Sequence, residues 1–264
     1  MTFNDLVSSE RAARRYFLEF CWKNHQRFCP RCRERRIYRL TGGRRRCSRC
    51  GYTFHDFSRR FLNACAFDCR NWLWFLKLFE LGVPPRDMAA QMRVTYPTVL
   101  KAQEVVRRAI VAQSLDAALL TRAGEAGMRD SPVFGIIMVN GMALCDVLPE
   151  MSPGDLLLFK CNFRLQTAAV GHVVYTAPFR KYLALTCCGP SLWPTHLIRH
   201  EDKRLPLDAT EFWALAKRGL GRLRGLAPAH YPLYLKEWEI RHNSRDKDLL
   251  EVLARALCGF VPDG

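Results

Sequence analysis

A multi-domain α+β chain is what the sequence predicts: a small cysteine-knuckle ribbon, a helical helix–turn–helix segment, then an α/β domain with a mixed sheet. Three observations carry that prediction. Two C-x-x-C pairs lie within the first 60 residues, helix-patterned apolar residues follow to about 112, and strand-like alternation begins at 133. A length of 264 residues suits two or three domains, with boundaries expected at 1–60, 61–112 and 113–264. Hydrophobic residues at 49% and charged residues at 25% are ordinary for a globular protein and exclude a disordered or fibrous one. The greasiest stretch, Trp72 to Val83, is broken by Lys77 and Glu80, so no membrane span is expected. The N-terminus lacks the pattern of an export signal, and a cytoplasmic, nucleoid-associated location is expected.

The ribbon rests on Cys29-Pro-Arg-Cys32 and Cys47-Ser-Arg-Cys50. Each C-x-x-C is a short knuckle that aims two sulfurs at one tetrahedral ion, and the spacing between them admits a hairpin. Ile37 to Leu40, Thr41-Gly42-Gly43 and Arg44 to Arg46 read as strand, turn and strand, and Tyr52-Thr53-Phe54 closes the ribbon. A redox dithiol is the rival reading of a single C-x-x-C; two at this spacing point to structural Zn2+, which supplies folding energy that so small a core lacks. The other eight cysteines (21, 65, 69, 145, 161, 187, 188 and 258) are read as core thiols, with a redox question open at Cys187–Cys188.

Charge points to the partner. The formal net charge is +16, and residues 1–60 carry 16 basic side chains, all but one of them arginine, against 5 acidic ones. A cationic field concentrated at one end fits a polyanion, because contacts to phosphates release condensed counterions. Arg31, Arg33, Arg35, Arg36, Arg44, Arg45, Arg46 and Arg49 around the knuckles are the candidate contacts.

A helix over residues 5–24 is expected to pack on the ribbon, and a mostly buried one over Arg70 to Leu81 is stopped by Gly82. Pro85 to Met92, a turn at Arg93-Val94, and a second helix from Tyr96 to about Val111 then read as helix–turn–helix. Thr95 is the N-cap; Val99, Val106 and Ile110 face inward; Tyr96, Thr98 and Lys101 face bases; Arg107 and Arg108 reach phosphates. Beyond it, Val133 to Val139 and Ala143 to Leu148 form a hairpin around Asn140-Gly141, with further strands at 156–159 and 172–176. Helices are expected at 209–220, 230–242 and 248–257.

Taken together, these segments resemble the insertion-sequence transposases that join an N-terminal zinc ribbon and a helix–turn–helix to an RNase-H-like, DDE-type catalytic domain. The motifs that carry the resemblance are Phe28-Cys29-Pro30-Arg31-Cys32, Cys47 to Cys50, Pro132 to Ile136, Tyr175 to Tyr182, Glu211 to Arg218 and Tyr234 to Asn243. The resemblance implies two divalent ions, Mg2+ for example, held by three acids. Of those positions Asp116 is retained in a helix-favouring context, while the second holds Ala177 and the third Thr210. Asp208 and Glu211 are the nearby substitutes, and the downstream lysine is kept as Lys217.

One acid of three does not hold two hard cations. The leading expectation is therefore a zinc-dependent DNA-binding regulator or accessory factor of transposase descent, without catalysis. An active transposase using Asp116, Asp208 and Glu211, and a non-specific DNA-binding relic or interaction scaffold, are the alternatives. The expected partners are double-stranded DNA and a second copy of the chain, with no membrane and no small-molecule substrate. His196 and His200 are read as solvated, the rival being a metal pair; Lys217, Arg218, Arg222 and Arg224 are read as a solvated basic helix face, the rival being a DNA-backbone contact.

Overall fold

The computed structural model describes residues 2–22, 24, 26–114, 133–148, 184–187, 195–197, 212, 215, 216, 219 and 230–262. The chain divides into two compact units, residues 1–113 with 247–264, and residues 114–246. The first unit therefore holds both segments that the pattern separated at residue 60, together with a C-terminal stretch that the pattern assigned to the last domain.

In the first unit, α1 (Phe3–Val7) and α2 (Glu10–Cys21) replace the single leading helix. The break is chemical: Ser9 is extended and its hydroxyl accepts from the Ala12 amide, so a new N-cap interrupts the helix. α2 packs on α1, on α3 (Cys69–Glu80) and on the last helix of the chain, α7 (Leu249–Leu257), rather than mainly on the ribbon. Asp68 caps α3 by accepting from the Asn71 amide, and Glu10 at the start of α2 accepts from the amides of Cys69 and Arg70. Cys69 is buried, which pushes its thiol up to about 12, as a core thiol should be. Around Trp72, Leu73, Phe75 and Leu76, all fully buried, lie Phe17 of α2 and Leu253 and Leu257 of α7.

α4 (Pro85–Met92) and α5 (Tyr96–Val111) complete this core through Met88, Val99, Val106 and Ile110. α3 and α4 end in the same way. Gly82 (φ 70°) and Arg93 (φ 54°) each take the left-handed conformation. The residue after each donates its amide five positions back, Val83 to Leu78 and Val94 to Ala89, in a Schellman motif.

The second unit contains a four-stranded sheet in the order β5–β4–β6–β7, from β4 (Val133–Val139), β5 (Met142–Leu148), β6 (Ala184–Cys187) and β7 (Thr195–Leu197). Every pairing among the described residues is antiparallel, where a mixed sheet was expected. The hairpin turns at Asn140 (φ 50°) and Gly141 (φ 75°), the conformation that Asn-Gly favours. β6 and β7 are too short to leave a period-two signal. His196, expected in a loop, lies in β7 opposite Leu185. The strands expected at 156–159 and 172–176 lie outside the described residues.

α6 (Tyr231–Asn243) covers the open edge of β5 with side chains that mimic a neighbouring strand. Asn243 accepts from the Ala143 amide (2.8 Å) and donates to the Ala143 carbonyl (2.7 Å), while Glu239 accepts from the Cys145 amide (2.8 Å). The edge amides of Ala143 and Cys145, which would otherwise help template another strand, are thereby satisfied.

Candidate metal centre and nucleic-acid interface

The ribbon is a three-stranded antiparallel sheet, β1 (Ile37–Arg39), β2 (Arg45–Cys47) and β3 (Thr53–Phe54), flanked by two knuckles of matching design. In the first, the Cys29 amide donates to the Glu34 carbonyl (2.8 Å) and the Arg33 amide to the Cys29 carbonyl (2.9 Å). In the second, the Cys47 amide donates to the Tyr52 carbonyl (3.0 Å) and the Gly51 amide to the Cys47 carbonyl (3.2 Å). Both closing residues are left-handed, Arg33 at φ 60° and Gly51 at φ 68°.

This geometry gathers the sulfurs of Cys29, Cys32, Cys47 and Cys50 within 4.8 Å of one another. Cys29–Cys50, Cys32–Cys47 and Cys32–Cys50 are 3.6, 3.5 and 3.5 Å apart. A tetrahedral ion with Zn–S bonds of about 2.3 Å needs sulfurs about 3.8 Å apart, so the set fits zinc. Burial opposes ionisation of Cys47, but amides from Cys50 and Arg49 and the neighbouring thiols bring it down to about 7. A thiolate there is the ligand form a metal requires. The ribbon's own apolar cluster is only Cys29, Cys47 and Phe54, edged by Ile37 and Tyr52, too small to hold the fold without the metal.

Below the ribbon, the buried carboxylate of Asp56 collects three guanidinium groups: Arg45 at 2.7 Å, Arg27 at 2.9 Å and Arg14 at 3.3 Å. Arg60 is 3% exposed and stacks on Phe260 (4.1 Å) and Trp22 (4.6 Å). It donates to the carbonyls of Cys21 (2.5 Å), Cys258 and Asp56 (3.4 Å). Arg33 stacks on Phe28 (5.2 Å) and on Phe260 (5.0 Å), so the chain's last turn is tied to the first knuckle. The contacts to Cys258 and Phe260, and those of Arg14 and Arg27 to Asp56, were not legible from local spacing, because those partners are far apart in sequence.

The candidate DNA contacts divide by exposure. Arg31, Arg33, Arg35, Arg36, Arg44, Arg46 and Arg49 are exposed on the ribbon, as are Tyr96, Lys101 and Arg108 on α5. Arg39 and Arg93, absent from the sequence-based set, are exposed as well. Two expectations need correction. Arg45 is drawn inward by Asp56, and Arg107 is 7% exposed, stacked on Phe79 (5.6 Å) and bonded to Gln103 (3.4 Å). Each belongs to the scaffold, because its position faces the core. Thr98 is half-buried and its hydroxyl is shared with the N-cap Thr95 (2.8 Å).

Asp116, Ala177, Asp208, Thr210, Glu211 and Lys217 lie outside the described residues. In the first unit, 25 basic side chains face 12 acidic ones; in the second the numbers are 16 and 13. Nearly all of the net positive charge therefore belongs to the unit that holds the ribbon.

Four thiols on two knuckles over a three-stranded sheet define a zinc ribbon. More particularly, residues 8–53 match the family model of the transposase zinc-ribbon domain. No curated protein and no solved structure matches the chain.

Proposed function

We propose that this is a zinc-dependent protein of transposase descent that binds double-stranded DNA at specific sites, as a regulator or accessory factor without strand-transfer activity. The observation that carries the reading is the match of residues 8–53 to a transposase zinc ribbon whose four sulfurs lie within 4.8 Å. The excess of 25 basic over 12 acidic side chains in the same unit supports a polyanion as partner.

In this reading Zn2+ fixes the ribbon, exposed arginines such as Arg36, Arg44 and Arg46 hold phosphates, and α4–α5 acts as a helix–turn–helix with the start of α5 toward the bases. Two copies on a two-fold repeat are the proposed assembly. Ala177 and Thr210, at positions where the resembling transposases carry metal-binding groups, support the loss of catalysis. An RNase-H-like origin of the second unit belongs to the same proposal. No helix among the described residues is long and apolar enough to cross a membrane.

The test is selection of bound DNA from a random duplex pool with zinc-loaded protein near physiological salt, against a Cys29→Ser, Cys32→Ser control. A defined motif lost in the control supports the reading; enrichment of no motif overturns it. A nicking assay with magnesium or manganese is expected to be blank, and cleavage would restore the active transposase.

A further inference from the structure

We infer that the first two turns of α5 read thymine 5-methyl groups, with Leu100 and Tyr96 as the specificity-determining side chains. This rests on the proposal that α5 is a recognition helix, and it names what that helix recognises.

The solvent-facing stripe of α5 is not polar where it begins. Tyr96 is 43% exposed and Leu100 40% exposed, one turn apart on the same face. The opposite face, through Val99, Ala102, Val106 and Ala109, is fully buried, so α5 has no freedom to rotate these two side chains inward. Further along the stripe the surface becomes ordinary, with Arg108 paired to Glu104 at 2.8 Å. Thr98 is spent on the N-cap with Thr95. Besides the ring of Pro97, the side chains left to touch a base edge at the start of the helix are therefore an aromatic, an aliphatic and Lys101.

Charge selects the occupant. Between Asp87 and Glu104 there is no acidic residue, while Arg93 and Lys101 are both exposed there. An apolar pair with exposed Arg93 and Lys101 nearby fits a polyanion that also presents apolar groups. In a DNA major groove the thymine C5-methyl is the apolar group on offer, and A·T pairs are distinguished by it. Lys101 beside the pair supplies a point charge for phosphate or for guanine O6 and N7.

The experiment uses full-length, zinc-loaded protein and the duplex selected from the random pool, remade with deoxyuracil in place of thymine at one position at a time. Wild type is expected to lose roughly fourfold in affinity at one or two thymines, the effect of returning one buried CH2-sized group to water. Leu100→Ala is expected to bind thymine and uracil duplexes alike, and Tyr96→Ala to lose a second, separate position. Lys101→Ala is expected to weaken both duplexes equally and keep the difference between them. All three side chains are exposed, so melting temperatures should stay near wild type.

Equal binding of thymine and uracil duplexes by wild type, with a motif still selected, overturns this inference and leaves the DNA-binding proposal standing. If no motif is selected at all, both fall. A change in sedimentation for Leu100→Ala with the thymine preference intact would make the pair a contact between protein chains, which also overturns it.

Discussion

The two knuckles of the ribbon make the same turn with different residues, and the difference is instructive. Gly51 closes the second at φ 68°, with nothing nearer to its absent Cβ than the Arg46 guanidinium at 3.9 Å, so backbone freedom alone explains it. Arg33 closes the first at φ 60°, where an L-residue costs about 1–2 kcal/mol. Its guanidinium offsets that cost by stacking on Phe28 and Phe260. The second knuckle is self-sufficient, whereas the first is anchored to the end of the chain. The helix ends repeat the contrast: Gly82 closes α3 and Arg93 closes α4 in the same left-handed geometry, but Arg93 is exposed.

The largest effect should come from removing what both knuckles share. Structural zinc in small fingers contributes about 10–16 kcal/mol of apparent binding free energy, so chelation or Cys47→Ser should unfold the ribbon. Circular dichroism and zinc content measured together would show it, and a ribbon that keeps its strands without metal would contradict the assignment. Next is the anchor. Asp56→Asn leaves three clustered guanidinium groups without their carboxylate, and removal of one partner of a buried ion pair costs about 3–5 kcal/mol. Urea unfolding midpoints measure that loss.

The comparison itself is sharpened by exchanging the closing residues. Gly51→Ala should cost about 1 kcal/mol through strain. Arg33→Gly should be near neutral, because relief of strain cancels the lost stacking of about 0.5–1 kcal/mol per ring. In a Phe260→Ala background Arg33→Gly should become more favourable, and a double-mutant cycle that shows no coupling would dissociate the first knuckle from the chain end. Arg93→Gly should stabilise by about 1 kcal/mol and weaken DNA binding, an opposition that thermal melting and titration can read separately.

The smallest effect concerns His55. Burial first, then the Arg14 charge, lowers its affinity for protons, with Asp56 opposing. Its Nδ1 accepts from the Phe57 amide (3.2 Å), which favours the neutral ring. The unfolded chain thus binds more protons between the folded value and the ordinary 6.5, so stability falls as pH drops through that window. His55→Gln should flatten the slope of melting temperature against pH there.

How much of this was legible depended on how far apart the partners lie. The ribbon was readable because a metal site made of two C-x-x-C pairs is a local signature, and the hairpin at Asn140-Gly141 because two adjacent residues determine the turn. The α4–α5 boundaries were readable from Gly82, Thr95 and the 3.6-residue spacing of Val99, Val106 and Ile110. Arg45 and Arg107 face inward although arginine is usually exposed, because Asp56 holds Arg45 and Phe79 and Gln103 hold Arg107. Nothing near residue 60 announces that Arg60 is buried against Cys258. β6 and β7 are four and three residues long, and β6 takes its conformation from β4 and β7 from β6, not from themselves.

The return of α7 to the first unit has a consequence for synthesis. The Cys258 thiol donates to the Phe17 carbonyl (3.3 Å) across 241 positions of sequence, and Leu253 and Leu257 fill the core beside α3. A ribosome adding about 5–20 residues per second needs on the order of ten seconds to pass from α5 to α7. Through that interval the growing chain carries both knuckles and α1 to α5, with the apolar seat of α7 uncovered. A nascent chain that has not yet reached α7 lacks the finished first unit, so that unit completes its core only after the whole second unit has been synthesised.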